Sequence, residues 1–125
     1  MHMDHSQMSN NFKNKRILIT GGSGFIGSYL AKKLVKLGSK VVVIDNFRRS
    51  EISRIEEIID DIELINTDIR MATQIADEVG EIDAIFHMAA INGTRNFYEF
   101  SQEVVEYLVA LAALGTISDR MTLKE

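Results

Sequence analysis

The chain has 125 residues, enough for one domain with a substantial core and too few for two. A hydrophobic fraction of 46%, a charged fraction of 26% and a net charge of −4 are ordinary for a soluble globular protein, and they leave no footprint for nucleic acid or a membrane surface. The absence of cysteine excludes disulfides and thiolate chemistry.

Residues 1–14 are polar, contain no apolar core of a secretory signal, and read as a disordered leader. "RILIT" at 16–20 and "KVVVID" at 40–45 are short β-branched runs of the kind buried on both faces of a parallel sheet. Between them Ile26, Leu30, Leu34 and Leu37 recur three or four apart, which predicts an amphipathic helix closed by Gly38 as its C′ residue. A second helix is expected over Ser53 to Asp61, with a Ser53/Glu56 capping box and a stripe of Ile52, Ile55, Ile59 and Ile62. "IELINTD" reads as a third strand, "MATQIADEV" as a short helix and "IDAIFHMAA" as a fourth strand. A last helix is expected from Gln102 to Leu114, and 116–125 read as a frayed tail. The longest apolar stretch, Tyr107 to Leu114, falls far short of the roughly 20 residues needed to span a bilayer, so a cytoplasmic location is the expectation. Alternating strands and helices over 15–115 predict an α/β, Rossmann-like doubly wound parallel sheet that stops after about four strands.

The first strand runs directly into "GGSGFIG". Glycines 22, 24 and 27 fit G-x-G-x-x-G, and 21, 24 and 27 fit G-x-x-G-x-x-G. Either pattern alone also suits a tight turn with no ligand. Its position after a strand and at the head of a helix is what a dinucleotide fingerprint requires. Gly21 or Gly22 allows the sharp turn, Gly24 leaves room for a pyrophosphate, and Gly27 lets helix and strand approach. The helix N-terminus then faces the phosphates. No G-K-[ST] follows, which argues against a P-loop.

Asp45 ends the second strand, where a carboxylate accepts hydrogen bonds from an adenosine ribose. The plainer use is to cap the turn "DNF". Coincidence with the glycine pattern favours the ribose. A carboxylate there repels a 2′-phosphate, so NAD is preferred over NADP, although Arg48 or Arg49 turned toward such a phosphate works the other way.

Together "ITGGSGFIGSYLAKKL", "VVVIDN", "NTDIR" and "IFHMAA" resemble, in order, the signature segments of the extended short-chain dehydrogenase/reductases. These are NAD-dependent epimerases and dehydratases acting largely on nucleotide sugars, and the resemblance covers about residues 15–100. It implies an NAD cofactor and a nucleotide-sugar substrate. Residue by residue, Gly21, Gly24 and Gly27, with Phe25 and Ile26 inside the loop, match the pyrophosphate segment. Asp45 and Asn46 match the ribose position, Asp68 and Ile69 the pair flanking the adenine, and Ala89 and Ala90 the segment along the cofactor after the fourth strand. His87, just before them, reads as a packed strand-end histidine, and no residue at ligand spacing suggests a metal.

The family's acid/base chemistry uses a Tyr-x-x-x-Lys pair after a fifth strand, a region this sequence does not contain. Its one literal match, Tyr29 with Lys33, lies in the first helix, away from any nicotinamide. The resemblance therefore implies a cofactor-binding half without a catalytic residue of its own; the alternative is a non-catalytic NAD-binding module or regulator completed by a partner chain. Val104, Val105, Leu108, Val109, Leu111, Ala112 and Leu114 give the last helix more apolar surface than one sheet contact needs. A homodimer through that helix or through an open edge of the fourth strand is the expectation.

Overall fold

Alternation along the first two strands decides the layers. In β1, Arg16–Thr20, Ile17 and Ile19 point to one face and Leu18 to the other. In β2, Lys40–Asp45, Val41 and Val43 join the first set while Val42 and Ile44 join the second. All seven are at most 2% exposed, so the sheet is covered on both faces. The computed structural model describes residues 10–48, 50–89 and 102. Over that range four parallel strands, including β3, Ile62–Asn66, and β4, Ala84–His87, lie in the order β3-β2-β1-β4.

One face is covered by α1, Phe25–Lys36, and by a 3-10 helix, Ile52–Asp61, through Ala31, Leu34, Ile55 and Ile58. The other is covered by α2, Ala72–Val79, whose Ile75 and Val79 pack with Ile69 and Ile82 on Leu18, Val42 and Ile44. The architecture is the expected Rossmann-like one. Strands β1, β2 and β3 are added outward in one direction, and β4 returns to the far side of β1. In open α/β sheets the crevice at such a reversal, at the carboxyl ends of the strands, is where ligands bind.

Helix α1 stops where Gly38 predicts. Ser39 N–H donates to Leu34 O at 3.0 Å and Gly38 N–H to Val35 O at 3.0 Å, with Gly38 at φ 85°, a Schellman motif. Two details differ from the periodicity reading. Ile26 is 62% exposed rather than part of the buried stripe, and the first turn of α1 is buried through Gly27 and Ser28 instead. The second helix is a 3-10 helix with Glu51 as N-cap, and the expected capping box does not form: Ser53 Oγ donates to Glu51 Oε2 instead. Three residues per turn align Ile55 with Ile58 on the core side, so Ile58 replaces Ile59 as the buried member of the stripe, while Ile52, the first residue of the same row, is exposed.

Residues 10–14 precede β1, and Phe12 packs on the α1 face of the core while its carbonyl accepts from Ser39 Oγ at 2.8 Å. Residues 1–9, 49, 90–101 and 103–125 lie outside the described residues, and with them Arg49, Ala90, the helix expected from Gln102 to Leu114 beyond its first residue, and the tail expected to fray. Among the described residues no helix is long and apolar enough to cross a membrane.

Candidate functional site

The glycine loop sits at the reversal point of the sheet. Gly21 N–H donates to Ile44 O at 2.7 Å, extending the β1–β2 ladder, while Met88 N–H donates to Thr20 O at 3.0 Å on the β4 side. Gly21 adopts φ 70°, and a Cβ there would come within 2.8 Å of Ala89 N. The sharp turn therefore belongs to Gly21. Gly22 makes room instead for Val43, whose side chain would lie 2.6 Å from an added Cβ. A Cβ on Gly27 would run into the Gly21 carbonyl, so this glycine lets α1 start against the loop.

Gly24 is different. Its φ of −72° and ψ of 176° suit any residue, and the only close atom to an added Cβ is Gly21 O at 3.2 Å, a squeeze of a few tenths of an ångström. Gly24 is also the N-cap of α1, and no side chain caps that helix end. Phe25 and Ile26, on the first turn, are 82% and 62% exposed.

Asp45 binds the loop to the end of β2. Its Oδ2 accepts from Ser23 N–H at 3.2 Å and from Ser23 Oγ at 2.5 Å; Oδ1 accepts from Phe47 N–H and from Ser50 Oγ, both at 2.8 Å. The Phe47 bond is the turn-capping use that the sequence allows for Asp45. Ser23 and Ser50 carry no signal in a single sequence, because each matters only through its hydrogen bond to Asp45, which for Ser23 spans 22 residues.

Asn46 reaches the next strand end, with Nδ2 3.4 Å from Asp68 Oδ2. Burial works against the charge on Asp68, but hydrogen bonds from the Arg70 side chain and backbone N–H outweigh it, and the carboxyl lies below the ordinary carboxylate range. Ile69 is 2% exposed and packs within the core. Ala89 lies against Gly21, its N–H donating to Thr20 Oγ1 at 3.2 Å. Thr20 Oγ1 also accepts from Met88 N–H and lies 2.8 Å from His87 Nδ1. Burial disfavours the charged ring of His87 and lowers its pKa. The fold thus gathers Gly21–Gly27, Asp45, Asn46, Asp68 and Ala89 at one end of the sheet. Tyr29, 78% exposed on α1, stands outside this group.

The sequence model of the NAD dependent epimerase/dehydratase family matches residues 17–122. The chain belongs to that family. A UDP-N-acetyl-alpha-D-glucosaminuronate decarboxylase of Bacillus cytotoxicus is 42% identical over 92 residues, covering 74% of this chain and 29% of the relative. A UDP-glucuronic acid decarboxylase 1 of Danio rerio is 41% identical over 85 residues, covering 66% of this chain and 19% of the relative. Among solved structures, a UDP-glucose 4-epimerase superposes with a TM-score of 0.74 at 31% identity, over 86% of this chain and 33% of the epimerase. A Stenotrophomonas maltophila UDP-glucose-4-epimerase, solved with NAD and formylated UDP-arabinopyranose, gives 0.75 at 26% identity over 86% of this chain and 34% of its own. The chain thus spans less than a third of these curated relatives and about a third of the solved structures.

Proposed function

We propose that this chain binds the adenosine diphosphate half of NAD across the carboxyl ends of β1, β2 and β3. The observation that carries the reading is Gly24. The other three loop glycines are required by the chain's own packing, and Gly24 is the one whose missing side chain leaves room at an uncapped helix N-terminus. That is the place for a pyrophosphate, met by the backbone N–H groups and dipole of α1. Asp45 takes the ribose hydroxyls, Asn46 and Asp68 with the backbone of Ile69 border the adenine, and Ala89 and Ala90 run beside the rest of the cofactor. The Asp45 carboxylate disfavours a 2′-phosphate, so NAD is bound in preference to NADP.

Bound NAD supplies a hydride acceptor at its nicotinamide. The glycine loop, Asp45, Asn46 and Asp68 bind and orient the other end of the molecule, and no proton-transfer role falls to any of them. Tyr29 and Lys33 sit on the outer side of α1. The described residues of this chain hold and orient the cofactor, and a nucleotide sugar is the substrate class of the reaction it serves, by kinship with these decarboxylases and epimerases.

The Gly24→Val variant tests the reading. Valine suits the backbone of Gly24, so circular dichroism and melting should stay close to those of the parent chain, while calorimetry should find NAD binding abolished. Unchanged affinity in a folded Gly24→Val protein would overturn the assignment.

A further inference from the structure

The Asp45 carboxylate has no acceptor position to spare. Two oxygens offer about four lone-pair sites, and four donors fill them: Ser23 N–H, Ser23 Oγ, Phe47 N–H and Ser50 Oγ. The residue is 7% exposed. A ribose hydroxyl reaches this carboxylate only by taking the place of a donor already there.

The four donors are not equally replaceable. Both Ser23 groups belong to the glycine loop, which is fixed by the bonds of Gly21 and Gly24 and by packing on Val43. Phe47 N–H closes a turn two residues from Asp45 itself. Ser50 lies outside any helix or strand, five residues along the chain. It is also the least well supported. Ser23 Oγ and Ser50 Oγ stand 2.9 Å apart, yet each has one proton and each directs it to the carboxylate, so that contact has no proton of its own. Phe47, between Asp45 and Ser50, is held at φ 57°, a left-handed conformation that a bulky residue adopts at a cost.

We propose that the Ser50 hydroxyl occupies, in the free protein, the acceptor position on Asp45 that an adenosine ribose hydroxyl takes on binding. Ser50 thus limits nucleotide affinity by competing for the carboxylate, while Ser23 stays in place and orients it. The inference rests on the reading of Asp45 as the ribose residue.

The test is calorimetric titration of NAD, and separately of ADP, into the full chain and into its Ser50→Ala and Ser50→Thr variants. ADP contains the same ribose and pyrophosphate and no nicotinamide. Ser50→Ala should bind both about 2- to 10-fold more tightly, the range that one net hydrogen bond covers. Ser50→Thr keeps the hydroxyl and should match the parent chain. Equal or weaker binding by Ser50→Ala would overturn the inference, because Ser50 would then be a bystander or a direct contact to the nucleotide. Loss of the folded circular dichroism signal in Ser50→Ala would overturn it too, since the hydroxyl would then be needed for the fold. If the parent chain binds neither NAD nor ADP, the nucleotide reading itself fails, an outcome distinct from the others.

Discussion

Asp45 shows what a single residue can and cannot reveal from sequence. Its place at the end of a strand, after a glycine loop, is legible because strand runs and glycine spacing are local. The filled carboxylate is not, because Ser23 meets it only once β1 and β2 lie side by side in register, and Ser50 only once the turn after β2 folds back on Asp45. The glycines divide in the same way. A sequence admits either Gly21 or Gly22 as the turn residue, and the positive φ at Gly21 decides between them. At this scale the expected outcome is that Asp45→Asn weakens NAD by on the order of 1–3 kcal/mol, the worth of a hydrogen bond to a charged group. The substitution keeps the shape and removes the charge, so affinity for NADP should rise relative to NAD. Competitive titration of the two nucleotides measures the ratio. A parent chain that prefers NADP would contradict the role given to Asp45 and point to Arg48 or Arg49.

Elements are legible where their signals are local and strong. The β-branched runs mark β1 and β2 because both faces are buried, and Gly38 marks the end of α1 because only a left-handed residue completes that cap. The segment 52–61 is ambiguous in sequence because isoleucines at 52, 55, 58 and 59 satisfy periods of both 3.0 and 3.6, and tertiary packing of Ile55 and Ile58 selects the tighter helix. The junction of β1 with β4 also makes a pH prediction. Burial lowers the pKa of His87, so folding favours the neutral ring. The unfolded chain then binds the proton more readily, and the stability this group contributes is present above about pH 6.5 and lost as the pH falls through the lower folded pKa. Melting temperatures measured from about pH 8 down to about pH 5 should fall, and His87→Gln should flatten that part of the profile. An identical slope in the variant would show that other groups carry it.

At the scale of the whole molecule, about a third of a larger architecture is present, judged by the solved structures it superposes on. Among the described residues the outer edge of β4 has no partner strand, and such an edge is a template for pairing. We propose self-association through that edge or through the apolar segment after Gln102. Sedimentation at high micromolar concentration should show dimers or larger species, and a clean monomer with no dye-binding apolar surface would contradict it. The central claim concerns the cofactor and needs only the intact chain. Calorimetric titration with NAD should give saturable binding of one nucleotide per chain, tighter than with NADP; no heat of binding up to about millimolar NAD would contradict it.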